Sequence, residues 1–420
     1  MASTNPYNIN WLLGDTNDSE FFNHYWEKKP QYFHGTIKKD LESFLNLNDF
    51  KQLLKSNRIN PKQLSVFTNQ ALEKDIRKYY LSNNCLNTYN IYKDFKQHKS
   101  TICFRNPELI NANIKLLTQS LSRIFYSEVT TALFHSPKDS IGLDVHFDYY
   151  NAMILQVTGR KRWRLYDFVV DKPCKESDRI KLHHEKLGRP IIDVTLEPGD
   201  VLYVPRGMPH KPECEDSDSL HLTVGITTHT WANTFDRVIE KLRNDNVLLR
   251  ESLPTINAIN ENPFQFESKL KEVMNLINQE IDINLISSIN AEQYYLEQDS
   301  VIDSELLELM SRETLTIDTQ LEHNANLEPF VVNYPKYSEI VFAGTKIKIP
   351  NSLVEAANFI VNNRTFLLGE ISSSMSDEIK ITLIKKLVSN GCLKIVKTPE
   401  INDEIKSSSK HMTIKKLLNV

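Results

Sequence analysis

Three side chains carry the sharpest chemical signal in this chain of 420 residues. His146 and Asp148 form an HxD pair within His146-Phe147-Asp148-Tyr149-Tyr150-Asn151. Side chains on extended chain alternate with period two, so both project to one face. One imidazole and one carboxylate can then hold two adjacent positions on a single metal. A third ligand must come from a distant strand. His210 is the candidate, at the end of Val204-Pro205-Arg206-Gly207-Met208-Pro209-His210, just after a strand and a Gly/Pro turn. Two histidines and one aspartate make the facial triad of non-haem Fe(II) centres, which leaves metal positions open for a cosubstrate and O₂. Taken singly, an HxD tripeptide is usually incidental and His210 reads equally as an exposed loop histidine. The combination is more specific, because both lie in one β-rich region, 64 residues apart.

The elements that must position these groups are legible around them. Between residues 129 and 230 short apolar runs are bounded by Gly, Pro and Asp, with turn signals such as Thr158-Gly159-Arg160 and Glu197-Pro198-Gly199-Asp200. Many short strands at this spacing predict a β-barrel or double-sheet jelly roll. Leu220, Leu222, Val224 and Ile226 alternate strictly, as one buried strand face requires. His221 and Thr223 share the opposite face, which can look into the barrel near the metal or simply pair across a sheet. Helical spacing predicts helices over 19–26, 107–125, 231–248 and 264–281, with a shorter one over 305–312 capped by Ser304. Residues 79–92 show no clear period and read as loop. The final block reads as a hairpin over 337–349 with Gly344 in its turn, helices over 353–362 and 377–390, Gly391 as a stop and a strand over 393–396. That order is the winged-helix pattern.

Composition narrows the class. Lys and Arg number 50 against 54 Asp and Glu, a net charge of −4, which gives no support to broad nucleic-acid binding. Lys380, Lys385, Lys386, Lys394 and Lys397 form a C-terminal basic set, but Glu370, Asp377, Glu378 and Glu400 dilute it, favouring a structural or protein-docking role. No run of about 18 apolar residues predicts a membrane helix, and the N-terminus lacks the basic-then-apolar order of a secretory signal. The five cysteines are odd in number and show no CxxC spacing, which predicts reduced thiols in a cytoplasmic setting. His183-His184-Glu185 reads as exposed loop polarity rather than a second metal site, since adjacent strand residues point opposite ways.

The segment HFDYYNAMILQVTGRKRWRLY, residues 146–166, resembles the core of the ribosomal-oxygenase branch of the JmjC (cupin-like) 2-oxoglutarate dioxygenases. LEPGDVLYVPRGMPHKPECEDSDSLHLTVGI, residues 196–226, resembles its second half, and FFNHYWEKKP, residues 21–30, its opening. The resemblance implies an α+β chain: a double-stranded β-helix JmjC barrel with N-terminal helices over 1–230, a helical dimerisation region over 231–325 and a winged-helix-like domain over 326–420. It implies that 2-oxoglutarate and O₂ become succinate and CO₂ while a C–H bond is hydroxylated. His146, Asp148 and His210 match the Fe(II) ligands, and Lys161 matches the residue that binds the distal carboxylate of 2-oxoglutarate. On the residues alone Lys161 is one charge of the basic turn Arg160-Lys161-Arg162; the family register turns it inward and its neighbours outward. Thr223 is a candidate cosubstrate contact and Phe134 a candidate wall of the substrate groove. Trp163 and Trp231 read as core.

One departure stands out. Several relatives place an Asn five positions before the Pro of a TP-like pair; here that count from Pro137 lands on Ala132. The resemblance implies a homodimeric protein hydroxylase acting on His or Arg of a ribosomal protein, with no membrane or nucleic-acid partner. The same chemistry on a biosynthetic precursor peptide is the alternative. A non-catalytic cupin-fold scaffold is the reading from another class; it expects a broken triad, and iron titration separates the two.

Overall fold

The computed structural model describes residues 6–55, 60–68, 71–73, 75–83, 85–141, 143–174, 182, 187–296, 315–324, 327, 329–334, 337–371 and 375–397. The expected helix over 305–312 and the His183-His184-Glu185 run lie outside the described residues. The chain divides into two compact units, Met1–Thr230 and Trp231–Val420.

The first unit is built on antiparallel strands: β1 (Gln31–Phe33), β2 (Leu64–Thr68), β3 (Ala71–Leu72), β4 (Thr101–Arg105), β5 (Val129–Ser136), β6 (Asn151–Thr158), β7 (Lys161–Leu165), β8 (Ile192–Leu196), β9 (Val201–Val204), β10 (His210–Glu213) and β11 (Ser219–Ile226). A large sheet has the order β1-β9-β6-β11-β5-β4-β2-β3, and a small one β10-β7-β8. From β6 onward the chain passes back and forth between the two sheets, with β6, β9 and β11 in the large one and β7, β8 and β10 in the small one, which is the jelly-roll way of enclosing an interior. With its helices this is the mixed α and β cupin-type fold that the strand texture predicts.

Period-two alternation assigns the faces of the large sheet. On β11, Leu220, Leu222, Val224 and Ile226 are buried against the helices outside the barrel. His221, Thr223 and Gly225 face the interior cavity. The helix Ala112–Phe125 begins at Asn111, whose side chain accepts a hydrogen bond from the Ile114 N–H, and it buries Ile114, Leu117 and Leu121. Asn106 and Pro107 initiate a separate short turn, Pro107–Leu109, so the apolar pattern over 107–125 splits in two. The stretch 79–92 is a correction. Its end belongs to the helix Thr88–Gln97, capped by Asn87 and burying Ile91 and Phe95. Only one turn separates those two anchors, too little for a visible period, and packing on the sheet supplies the rest.

The second unit contains helices Trp231–Asp245, Ile256–Glu261, Pro263–Glu280 and Ile283–Leu296. Beyond them lie β12 (Gln320–His323), β13 (Phe330–Asn333), β14 (Ser338–Phe342), β15 (Thr345–Ile349), β16 (Thr365–Leu367) and β17 (Leu393–Lys397), with helices Val354–Asn362 and Asp377–Ser389. They form two three-stranded sheets, β16-β12-β17 and β13-β14-β15, over one apolar core that includes Leu321, Phe342, Ile360, Ile384 and Leu387. Lys380 is buried, and Lys394 lies 3.2 Å from Glu322, so two of the basic set serve packing and pairing. No helix among the described residues is long and apolar enough to cross a membrane.

The outer face of the large sheet holds a buried imidazole. His135 stacks on Phe95 at 4.4 Å and meets Phe50 and Tyr92 edge-on. Burial pushes its pKa down from 6.5 to about 4. The unfolded chain therefore takes a proton there at higher pH than the folded chain does. Stability is unaffected by this group at neutral pH and falls as pH drops from 6.5 towards 4. His135→Phe is expected to remove roughly 3 kcal/mol of that acid sensitivity, read as a flatter dependence of the urea midpoint on pH; an unchanged slope refutes it.

Candidate metal centre

The two segments that carry the triad are tied together by their backbones. His146 N–H donates to the His210 carbonyl (3.2 Å) and His210 N–H donates to the His146 carbonyl (2.8 Å). Two residues on, Gly207 N–H donates to the Asp148 carbonyl (2.8 Å). Residues 144–150 are not a strand; one bridge to the start of β10 holds them. Gly207 has φ +83°, and a Cβ there would lie 2.2 Å from the Val170 carbonyl, so glycine is required for the turn.

The side chains converge accordingly. One ligand atom from each of His146, Asp148 and His210 lies within 4.8 Å of the others. His210 Nε2 is 3.7 Å from the Asp148 carboxylate, and the two imidazole centroids are 4.4 Å apart. Each histidine uses Nδ1 to donate to a backbone carbonyl, His146 to Asp144 (2.7 Å) and His210 to Met208 (3.1 Å). That sets the tautomer and leaves both Nε2 lone pairs for a metal. Burial, with His146 beside it, pushes the His210 pKa down to about 4, so it is a neutral ligand at physiological pH. Tyr150 sits beside Asp148; burial and that carboxylate hold its phenol well above the usual range, so it remains a donor. Two neutral imidazoles and one carboxylate are a donor set that fits a divalent transition metal.

These groups line a cavity of about 490 Å³ between the two sheets, which also receives Lys161, Trp163, His221, Thr223, Ala132 and Phe134. The β6–β7 turn sets the register that puts Lys161 inside. Gly159 there has φ +66°, and a Cβ would lie 1.8 Å from the Asp218 carbonyl. Along β7, Lys161, Trp163 and Leu165 then face inward. Arg162 and Arg164 face outward and pair with Asp193, Glu215 and Glu213. Arg160 also points out, to Asp216. Lys161 is 2% exposed and donates to Ser136 Oγ (2.9 Å), with no carboxylate partner among the described residues. Desolvation lowers its pKa.

Every candidate site residue therefore reaches one cavity. Phe134 lies parallel to the His221 ring at 5.1 Å, and Thr223 pairs with Ala132 across β11 and β5. Trp163 is both core and cavity wall, packing with Leu165 and Val204. Sequence reasoning missed Ser136, Arg105 and Asn106, which also belong to this region. Asn106 is instructive, because Ala132 removes the amide expected on β5. An amide still lines the cavity, from the end of β4, where Asn106 adopts φ +54° and donates to Glu108 (3.1 Å). The Asn-Pro pair at 106–107 was its only sequence signal.

A support runs from the N-terminal segment to the ligand turn. Glu27 lies 2.7 Å from the buried Arg206 guanidinium. Asn151 Oδ1 accepts from the Tyr203 hydroxyl (2.9 Å) and from Arg206 N–H (3.3 Å), and Glu27 N–H donates to Tyr203 Oη (2.8 Å).

Comparison with known proteins agrees with this geometry. The family model described as JmjC domain matches residues 108–234. Ribosomal oxygenase 2 of Mus musculus is 28% identical over 64% of this chain and 59% of its own length. The bifunctional lysine-specific demethylase and histidyl-hydroxylase NO66 of Drosophila simulans is 27% identical over 59% of this chain and 30% of its own. The matched region thus spans less than two thirds of these curated relatives. Among solved structures, the ribosomal oxygenase YcfD of Escherichia coli in complex with cobalt and 2-oxoglutarate superposes with a TM-score of 0.52 at 15% identity, covering 91% of this chain and 99% of that one. Barrel, triad and family model point the same way: residues 108–234 match the JmjC domain model, and the chain is similar to ribosomal oxygenases.

Proposed function

We propose that this chain is an Fe(II)- and 2-oxoglutarate-dependent oxygenase that hydroxylates an amino-acid side chain of a ribosomal protein, a histidine or an arginine. One observation carries the reading: a two-His, one-Asp cluster opens onto the same cavity as a buried lysine that has no carboxylate partner among the described residues. The names of the relatives support the ribosomal substrate and the histidyl target. A chain of net charge −4 suits association with basic ribosomal proteins.

Iron, when bound with 2-oxoglutarate and O₂, supplies the oxidising power for C–H hydroxylation, with succinate and CO₂ as the co-products. The chain supplies position. His146 Nε2, His210 Nε2 and an Asp148 oxygen would hold the ion on one side and leave the other open to the cavity. Lys161 would grip the distal carboxylate of the cosubstrate by a charge-assisted hydrogen bond, with Thr223 beside it. Phe134 would bound the space left for the substrate side chain. The dry wall of Trp163, Leu165 and Val204 behind the cluster keeps bulk water from it.

The same reading extends to domain roles. Residues 1–230 would be the catalytic domain, 231–325 a dimerisation region and 326–420 a winged-helix-like domain. The helix Pro263–Glu280 buries none of its residues, and Trp231, Phe264 and Met274 are exposed, which supports a homodimer through this region. The free cysteines suit a reducing, cytoplasmic location.

Purified protein given Fe(II), 2-oxoglutarate and ribosomal proteins is expected to add the mass of one oxygen atom to one of them. His146→Ala should abolish both that product and stoichiometric metal binding. Full activity in metal-free protein refutes the reading. Lys161→Ala should raise the 2-oxoglutarate concentration for half-saturation roughly 10–100-fold, the loss of one charge-assisted hydrogen bond; an unchanged value removes Lys161 from the site. Sedimentation of the intact chain should give a dimer that a Trp231→Asp, Phe264→Asp double variant converts to monomer. A wild-type monomer at micromolar concentration contradicts the assembly.

A further inference from the structure

The inner face of the large sheet carries one cation that the cosubstrate reading does not use. Inward residues line up in a row across the strands: Thr223 on β11 pairs with Ala132 on β5, and Ala132 pairs with Arg105 on β4. All three line the cavity that holds the triad. Lys161 is buried there, whereas Arg105 is exposed, which places Arg105 at the opening. Its guanidinium neighbours the Cys103 thiol on the same face and meets no carboxylate among the described residues.

An unpaired arginine is ordinary on a solvated surface, but this one differs from its counterparts in the barrel. On β7, Arg162 and Arg164 face outward and are paired with acids. Arg105 faces inward, and the nearest acid along the chain, Glu108, is engaged by Thr131 Oγ and Asn106 Nδ2. Opposite Arg105 stands Ala132, whose methyl leaves the space above it open. Adjacent strands lie about 4.8 Å apart, so Arg105 starts roughly 10 Å from Thr223, a gap that a substrate side chain can fill. Asp148 is the one carboxylate among the described residues that line the cavity, and a bound metal takes it. An entering side chain thus meets two fixed positive charges, Lys161 and Arg105, and no free anion. An arginine placed there would lose its water and find no opposite charge. An uncompensated charge of this kind is one way a site rejects a competitor.

We propose that Arg105 is a specificity-determining residue of this site: its guanidinium donates across Ala132 to the entering side chain, which is a neutral histidine and not an arginine. This rests on the oxygenase reading given above and narrows its substrate. A guanidinium is a donor only and keeps its charge, so it requires an acceptor, which a second guanidinium does not offer. A neutral imidazole presents one nitrogen lone pair and one N–H. Arg105 would donate to the first. Asn106, next in the chain, also lines the cavity; its Nδ2 is held by Glu108, which leaves Oδ1 to accept the second. A donor and an acceptor side by side match the two nitrogens of one uncharged ring.

The test starts from intact protein with Fe(II), 2-oxoglutarate and ribosomal proteins, and fragmentation mass spectrometry locates the added oxygen. It is expected on a histidine; an arginine, or any other residue, overturns the assignment. Two peptides are then made from the modified segment, one with its histidine and one with arginine in that place. Their affinities for protein loaded with Mn(II) and 2-oxoglutarate are read by fluorescence anisotropy without oxygen. Wild-type protein should bind the histidine peptide roughly tenfold or more tightly than the other, the worth of one hydrogen bond to a charged group. Arg105→Glu should abolish or invert that ratio while Mn(II) and 2-oxoglutarate affinities stay at their wild-type values. An unchanged ratio, or an equal loss for both peptides, overturns the assignment, because Arg105 then does not read the side chain. If Arg105→Glu fails to fold, Arg105→Gln, which removes the charge alone, decides by the same ratio. Wild-type protein that leaves every ribosomal protein unmodified sinks the proposed function itself, and this assignment with it.

Discussion

The site depends on one backbone contact: the reciprocal pair of hydrogen bonds between His146 and His210. These residues stand on segments far apart in the chain, and neither segment has a regular element of its own at that point beyond the start of β10. Closing a loop of that length costs entropy, which the barrel has already met by pairing β6 with β11 and β9 and β7 with β10. Once those ladders form, the bridge and the Gly207–Asp148 bond align three side chains with little further ordering. A metal can then bind to a site that exists before it arrives, rather than one it must assemble.

The barrel separates its two kinds of polar group by face. Outward, β7 and its neighbours carry Arg162, Arg164, Asp193, Glu213 and Glu215 in a ladder of ion pairs. Each exposed pair contributes about 0–1 kcal/mol, so they do not hold the sheet together. Their role is in register: a shift by one residue would bring arginines inside and put Lys161 outside. Inward, the polar groups are few and each is costly to bury. Lys161, His210 and His221 are all desolvated, which disfavours the protonated, charged form of each. A bound metal and an anion would relieve that cost, so stability and ligand binding are coupled at this one place.

The N-terminal segment is a second constraint on the same turn. Phe21 and Trp26 pack against Tyr203 at 5.0 and 5.7 Å, and Glu27 reaches Arg206 beneath the ligand turn. Breaking a buried ion pair from one side leaves an uncompensated charge and is strongly destabilising. The Phe21–Glu27 segment thus braces the turn that presents His210 through Tyr203 and Arg206.

Chemistry and class were legible in residue type and spacing. HxD, the PRGMPH turn, the alternation in 220–226 and the texture of short strands pointed to a β-barrel with a metal triad, because alternation and turn chemistry are local properties. The helices with long apolar stripes were legible for the same reason. Other features were decided by the tertiary structure. Thr88–Gln97 is a helix because two buried residues anchor it to the sheet, a contact no short window records. Lys161 is buried rather than solvated because the Gly159 turn and β8 pairing set its register. The amide absent at Ala132 has a counterpart at Asn106, just past the end of β4, because β4 pairs beside β5 although the two lie apart in sequence. The sequence alone determined which groups are present and which of them share a face along each strand; only closure of the barrel decided which face turns inward and which groups meet, since proximity across strands is a long-range property that no local pattern encodes.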